Sequence, residues 1–132
     1  MKIEVVPIPV TDVDRAKAFY VDQVGFIADH DHRVNDQLRF VQLTPPGSAC
    51  SIVLGEGVVE MPPGTQKGVM MVIDSVEETF ADLRSRGVET SEIIDMDWGR
   101  FIYFSDPDGN SWALQELPDY SAAKQAQGNE QA

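Results

Sequence analysis

Two stretches of this chain, VTDVD at residues 10–14 and IDSVE at residues 73–77, follow one pattern and decide the fold. Each stretch ends an apolar run, supplies a polar side chain that can accept hydrogen bonds from free helix N–H groups, and leads into a helical pattern. The helical patterns stop at Gly25 and Gly87, where a left-handed residue is favoured. The offset is 63 residues at the start (10 to 73) and 62 at the glycine (25 to 87). The repeat predicts two copies of one folding unit.

Both predicted helices have a capping signal and an apolar face. In the first, Asp12 is in the N-cap position, and apolar residues recur at helical spacing from Val13. In the second, Ser75 and Glu78 form the S-x-x-E capping box, and the apolar face begins at Val76. The two segments therefore predict amphipathic helices with one face against a core.

Strand patterns follow each helix in the same order. RFVQL at residues 39–43 corresponds to RFIYF at residues 100–104, and each run leads through a Pro- and Gly-containing turn to a short apolar strand. Those last strands are residues 49–54 and 111–114. The predicted fold class is therefore α+β, with two βαβββ modules paired to form a curved eight-stranded sheet around a cavity.

The repeat also predicts the domain organisation. A single domain covers residues 1–117, with a first module at about 1–54, a Gly- and Pro-rich linker at 55–67 and a second module at about 68–117. Residues 118–132 are polar and small, which predicts a flexible tail because too little apolar surface offsets the entropy of ordering.

Charge and composition exclude several classes of function. The chain has 132 residues and a formal net charge of −12, which argues against nucleic acid as a partner because phosphate binding needs a basic face. No apolar run approaches the roughly 20 residues that span a bilayer, so no membrane association is expected. The single cysteine, Cys50, fits a reducing compartment, and cytoplasmic localisation is the default.

Several motifs together resemble the vicinal oxygen chelate superfamily, which includes glyoxalase I, extradiol dioxygenases, and fosfomycin- and bleomycin-resistance proteins. They are V-x-x-I-x-V-x-D at residues 5–12, Phe-Tyr at 19–20, Gly-Phe at 25–26, Trp-Gly-Arg-Phe at 98–101 and Asp-Pro-Asp-Gly-Asn at 106–110. In this order and duplicated, they are specific for the fold but not for the activity. The resemblance, which covers nearly the whole chain apart from the tail, implies a ligand cavity lined by strands.

The resemblance also implies where a metal would be held. Metal-dependent members place ligands at four equivalent strand positions, which correspond here to Val5, Ser51, Gly68 and Ala113. Valine, glycine and alanine have no donor atom, and a serine hydroxyl is a poor ligand for a divalent ion. We therefore expect no metal and no cofactor.

Three other residues could carry chemistry. His30 and His32 would share a face of a strand and could hold a metal with a third partner, but their polar surroundings favour an exposed loop or edge-strand pair. Cys50 lies in an apolar strand and is more often a small buried residue than a nucleophile. The sequence shows no Ser-His-Asp arrangement and no phosphate-binding loop.

Strand alternation from the four ligand positions predicts the cavity lining, which is mostly apolar with a few small polar groups. The predicted lining residues are Val5, Pro7, Ser51, Gly68, Met70, Ser111, Ala113 and Gln115. This surface suits an organic ligand held by shape and apolar contact. The alternative is that these residues fill a closed core, with Met70 as packing filler.

Trp98 is the remaining predicted ligand contact. The equivalent Trp-Gly in resistance-type relatives lies near the cavity, and Asp95 and Asp97 beside it would favour a cationic aromatic or amine-bearing guest. The alternative is a tryptophan that covers the end of the sheet. Trp112, next to Ala113, should instead point into the core.

Three functions are compatible with these residues. The leading hypothesis is a metal-free, non-catalytic protein of the bleomycin-resistance type that binds or sequesters a hydrophobic or cationic small organic molecule such as an antibiotic. A metal-independent isomerase or lyase on a carbonyl compound would need a general base that the predicted lining lacks. A metal-dependent glyoxalase-like lyase or dioxygenase is the third. Relatives commonly form homodimers with cavities near the interface, so a homodimer is expected.

Overall fold

The structure is a computed structural model that describes residues 1–118. Eight strands and two helices occur in the predicted order, which confirms the α+β class. The strands are β1 (Val5–Pro7), β2 (Ile27–Asn35), β3 (Leu38–Thr44), β4 (Ser51–Glu56), β5 (Val69–Ile73), β6 (Ile94–Met96), β7 (Gly99–Ser105) and β8 (Ser111–Glu116). The helices are α1 (Val13–Ala18), which continues as a π-helix (Phe19–Val24), and α2 (Val76–Ser85).

The strands form two four-stranded sheets of identical topology. Sheet A has the order β1-β4-β3-β2 and sheet B the order β5-β8-β7-β6. In each sheet the first two strands are parallel and the others antiparallel. The duplication is therefore confirmed, but the eight strands are not one continuous sheet, because β1 and β5 are edge strands that do not pair with each other.

The helix caps form as their sequences predict. Asp12 Oδ1 accepts a hydrogen bond from the Arg15 backbone N–H (3.0 Å), and Ser75 Oγ accepts one from the Glu78 N–H (3.2 Å). The first helical segment ends at Gly25, where φ is +98° and a side chain would be strained. These caps fix where each helix leaves its sheet.

One core joins both modules. It contains the helix-facing side chains of both sheets, such as Leu54 on β4 and Leu114 on β8, together with the aromatic face of the first helix. Within it, Tyr20 donates from its hydroxyl to Asp106 Oδ2 (2.8 Å) and accepts from Trp112 Nε1 (2.9 Å). Asn110 Nδ2 also donates to Asp106 Oδ2 (2.7 Å). This buried network links the first module to the second, and burial raises the pKa of Tyr20 far above its usual range.

The structure describes the predicted linker but not most of the predicted tail. β4 ends at Glu56 and β5 begins at Val69, while the module bounds themselves stay a prediction. The predicted tail at 118–132 lies outside the described residues, apart from Pro118. Neither helix within residues 1–118 has the length and apolar character needed to cross a membrane.

Candidate functional site

Each sheet has a face turned away from the helices, which we call its open face. Because the helix-facing sides of both sheets share one core, the open faces carry the alternate side chains of the strands. All eight predicted lining residues occupy these alternate positions or the residue just before β5. The predicted site is therefore divided between two surfaces.

The open face of sheet A is polar. Val5 on β1 stands directly opposite Ser51 on β4, and Ser51 is buried. Gln42 Nε2 donates to Ser51 Oγ (3.3 Å), the Ser51 and Thr44 hydroxyls are hydrogen-bonded at 2.6 Å, and the Thr44 hydroxyl donates to the carboxylate of Asp29. A chain of polar groups thus runs across three strands and ends on a carboxylate. Pro7, also predicted to line the site, is exposed on the neighbouring edge strand.

His30 and His32 lie on this same face of sheet A. His30 is opposite Gln42, and His32 is opposite Phe40, so both imidazoles point to the open side of the edge strand β2. Their rings stack with centroids 5.9 Å apart. Of the two expected arrangements, an exposed loop or an edge-strand pair, the structure shows the second. The sequence pattern did not indicate Asp29. The β-bulge at Asp29 turns that carboxylate to Thr44, and no periodic pattern signals such a bulge.

The open face of sheet B is mostly apolar. Met70 and Tyr103 stand on either side of Ala113, and Val72 stands opposite Gln115. Met70 is 55% exposed and Val72 62%, whereas Ala113 is buried. A closed core with Met70 as packing filler is therefore wrong for this side chain, because β5 is an edge strand with nothing packed on its open face.

A groove of about 470 Å³ lies on this apolar face. Three predicted residues, Gly68, Ser111 and Ala113, line it together with Tyr103 and Glu89. Ser111 Oγ accepts a hydrogen bond from the Gly68 N–H (2.8 Å), which leaves the hydroxyl proton available to a ligand. The sequence did not indicate Tyr103 or Glu89, because Tyr103 reads only as a strand residue and Glu89 lies in the loop after α2.

A second groove, of about 430 Å³, lies between the modules. It is lined by the β3–β4 turn at residues 45–48, by Phe26 and Leu83, and by β5, including Met70. No charged side chain contributes to it. This groove suits a mostly apolar group, with Ser48 and Thr79 as its hydroxyl-bearing residues.

Trp98 occupies the turn between β6 and β7 and is 59% exposed. Gln115 Nε2 donates to the Trp98 carbonyl (2.8 Å), so Gln115, a predicted lining residue, connects the turn to β8. Trp98 lines neither groove described above, and its role as a stacking surface stays a prediction. Trp112, in contrast, is buried in the core as predicted. Cys50 is half-buried, and its thiol is 3.6 Å from the Ser51 carbonyl oxygen.

Two arginines that correspond in the repeat lie on the helix-facing side, not in the site. Arg39 binds Asp31 on β2 through two hydrogen bonds (3.0 and 2.8 Å) and Asp14 on α1 (2.8 Å). Arg100 binds Asp95 and Glu77 in the equivalent way, both at 2.6 Å. Arg100 thus binds Asp95, and the expected role of Asp95 beside Trp98 stays a prediction. Hydrogen bonds from Arg39, and then from Lys17, hold the pKa of Asp31 well below its usual range.

The four superfamily metal positions do not provide a ligand set. Val5 stands opposite Ser51, whereas Met70, and not the expected Gly68, stands opposite Ala113; Gly68 lies beside Ser111. With Met70 in place of Gly68, the four positions supply one thioether and the Ser51 hydroxyl, which cannot hold zinc, nickel or iron. Within residues 1–118, no three His, Cys, Asp or Glu side chains converge as metal ligands. The residues present do not fit a metal.

A family model described as Glyoxalase/Bleomycin resistance protein/Dioxygenase superfamily matches residues 2–114. The crystal structure of TnmS3, an antibiotic binding protein from Streptomyces sp. CB03234, is 36% identical with a TM-score of 0.82, covering 89% of this chain and 97% of that one.

Two further relatives extend the similarity. A superfamily member from Sphaerobacter thermophilus DSM 20745 is 32% identical with a TM-score of 0.77, covering 88% of this chain and 97% of that one. The uncharacterized protein YetH of Bacillus subtilis (strain 168) is 26% identical over 117 residues, covering 87% of this chain and 98% of its own.

Proposed function

This chain belongs to the glyoxalase/bleomycin resistance protein/dioxygenase superfamily, and we propose that it is a metal-free protein that binds or sequesters a small organic molecule. The observation that carries the proposal is the groove of about 470 Å³ on the open face of sheet B. Its volume is in the range of small-molecule sites, and its lining combines an aromatic ring and small apolar groups with a few hydroxyls. The antibiotic-binding relative TnmS3 supports the same class of function.

The composition of the site supports binding without a metal. The residues at the four superfamily positions supply a single hydroxyl, so the ordinary activation of a substrate by a metal has no ligands here. Metal analysis of the purified chain by mass spectrometry should find far less than one equivalent of nickel, zinc, iron or manganese. One tightly held equivalent would contradict the proposal.

A homodimer would complete the site. Several apolar side chains on the open face of sheet B are exposed in the single chain, more than singly scattered surface residues would explain. They are Met70, Val72, Ile94, Met96 and Tyr103. The polar open face of sheet A in a second copy could cover them and enclose a ligand. Sedimentation should give twice the mass of 14.6 kDa, and Val72→Glu should give the monomer.

Tryptophan fluorescence offers a direct test of ligand binding. Trp112 lines the groove on sheet B, whereas Trp98 is exposed at the β6–β7 turn and lines neither groove, so an aromatic compound bound in that groove should quench only part of the emission. We expect a panel of basic aromatic compounds to include saturable quenchers, and Trp98→Ala should leave the quenching of Trp112 in place; loss of all quenching in this variant would move the ligand to the β6–β7 turn. Absence of quenching by every compound, together with no heat of binding, would contradict a binding function.

A second function is favoured by one observation on sheet A. Asp29 ends a hydrogen-bond chain through Thr44 and Ser51, and two imidazoles lie on the same face. A carboxylate or imidazole so placed could act as the general base of a metal-independent isomerase or lyase on a carbonyl compound. Exchange of α-protons of carbonyl compounds in D₂O, followed by NMR, should then be catalysed and lost in Asp29→Asn. Exchange at the uncatalysed rate would exclude this function.

The setting follows from the same properties. The net charge of −12 disfavours nucleic acid, and a single half-buried cysteine suits the cytoplasm. We therefore propose a cytoplasmic protein that binds a small molecule.

A further inference from the structure

The groove on the open face of sheet B carries one acidic side chain that reaches its mouth, Glu89. The segment around Glu89 runs along the edge of β7, where Thr90 forms an antiparallel bridge with Phe104 and the Ser91 N–H donates to the Tyr103 carbonyl (2.9 Å). Since Phe104 faces the core, Thr90 does so as well, and alternation turns Glu89 to the open face, opposite Ser105 and diagonal to Tyr103. The backbone pairing of Thr90 and Ser91 thus brings Glu89 to the edge of this face.

The charge of Glu89 is not compensated from within the groove. No lysine or arginine lines it, and Glu89 makes no hydrogen bond or ion pair with any other residue among residues 1–118. The other lining carboxylate, Asp106, is buried and already bonded to Tyr20 and Asn110. The groove therefore presents a net negative charge next to an exposed aromatic ring.

Arg84 is the cation that could neutralise Glu89 from outside the groove. Its Nε and Nη2 donate to the hydroxyl and carbonyl of Thr90 (3.0 and 2.8 Å), and its guanidinium lies 4.5 Å from the centre of the Phe80 ring. Its nearest carboxylate is Glu92, at 3.4 Å. Arg84 and Glu89 line a common surface pocket after α2, but Arg84 is held by these contacts and forms no ion pair with Glu89, so the Glu89 carboxylate is left for a ligand.

We propose that Glu89 binds the positively charged nitrogen group of the ligand and so selects organic cations with an aromatic or apolar body. This inference rests on the ligand-binding function proposed above and names its ligand class. The cation lies between the Glu89 carboxylate and the Tyr103 ring, which attracts positive charge through its π-face. The Ser111 hydroxyl proton is free to bond an acceptor on the ligand, and Ala113 leaves space for its apolar body.

Two acridines of similar shape but different charge can test this preference for cations. 9-Aminoacridine is a cation at pH 7.5, whereas acridine has nearly the same shape and is neutral at that pH. Isothermal titration should show that the wild-type chain binds the cation more tightly. Glu89→Gln should weaken binding of the cation by roughly three- to fivefold, the scale of a partly exposed ion pair, and leave acridine unchanged. The preference should also shrink as salt is raised.

Glu60→Gln provides the matched control, because Glu60 is exposed, lies outside the groove and carries the same charge. It should not change the affinity for either probe. Equal binding of both probes to the wild type, or equal losses in the two variants, would overturn the role of Glu89 while leaving ligand binding intact. Binding of neither probe to the wild type would overturn both this inference and the function on which it rests.

Discussion

The open faces of sheets A and B have opposite chemistry, although the two sheets have the same topology. Sheet A presents a hydrogen-bonded row of Gln42, Ser51 and Thr44 beside two imidazoles. Sheet B presents exposed apolar side chains, with Met70 and Tyr103 on either side of Ala113. A ligand on sheet A would be oriented by hydrogen bonds, whereas a ligand on sheet B would be held by apolar contact.

On their helix-facing sides the two sheets agree closely. Arg39 and Arg100 each join an acidic residue at the start of a helix to an aspartate on the neighbouring edge strand. The two modules thus share the contacts that hold helix to sheet and differ in the surfaces that face outward. We therefore expect ligand binding to depend on the open-face residues that differ between the two modules.

The largest effect should come from breaking the core that both sheets share. Asp106 accepts hydrogen bonds from Tyr20, from the Asn110 side chain and from two backbone N–H groups. Asp106→Ala leaves these buried donors unpaired, and we expect it to lower the free energy of unfolding by about 3–5 kcal/mol in urea titrations. The milder Tyr20→Phe should cost about 1–2 kcal/mol. A loss as small as that in the exposed control Asp36→Ala would show that the modules are held together otherwise.

The next effect tests whether the apolar face is the one that binds. Tyr103→Ala should reduce the affinity for 9-aminoacridine about tenfold, because it removes both apolar area and the aromatic ring. Thr44→Val, which alters the polar face of sheet A with little change in volume, should reduce it less than twofold. Isothermal titration of both variants measures the contrast. A larger loss in Thr44→Val would move the site to sheet A.

A smaller effect distinguishes the two arginines. Arg39 is 13% exposed and Arg100 34%, so Arg39→Met should cost about 1 kcal/mol at pH 7 and Arg100→Met less. The pKa of Asp31 is depressed in the folded chain, first by Arg39, so its stabilisation is complete above the unfolded pKa near 3.9 and is lost as pH falls towards the folded pKa.

Removing Arg39 raises the folded pKa of Asp31 towards its unfolded value. The free energy of unfolding of Arg39→Met should therefore depend less steeply on pH than that of the wild type between about pH 5 and 2. Urea titrations across this range measure the slope. Equal slopes would mean that the Arg39–Asp31 contact does not form in solution.

The smallest effect concerns the imidazoles of sheet A. Two imidazole ligands on an exposed strand bind zinc weakly, so excess Zn²⁺ should raise the melting temperature by at most about 2 °C. Replacing both His30 and His32 by Asn should abolish the shift. A larger rise, retained in the double variant, would indicate a metal site elsewhere in the chain.

Most of the fold could be predicted because its signals are local. The capping residues Asp12 and Ser75, the stop at Gly25 and the repeated strand patterns each act within a few residues. Alternation also places Trp112 in the core. The division into two sheets could not be predicted, because whether β1 pairs with β5 depends on contacts between distant edges.

The candidate site was less accessible to prediction. Alternation gave Gly68, Ser111 and Ala113, which line the groove on sheet B. Glu89 was not predicted because only the isolated bridge at Thr90 brings its segment to the groove. Asp29 was not predicted because a β-bulge turns its side chain to the other face of β2. The ion pair between Arg100 and Asp95 could not be predicted either, because it depends on the pairing of β6 with β7.

The aromatic face of the first helix has a consequence for synthesis on the ribosome. Phe19 and Tyr20 pack against Phe104 and Trp112, so part of their burial must wait for residues made much later. At about 5–20 residues per second, those residues emerge roughly 4 to 18 seconds after Tyr20. During this interval the nascent helix exposes its rings, and we expect it to bind a holding chaperone until β8 arrives.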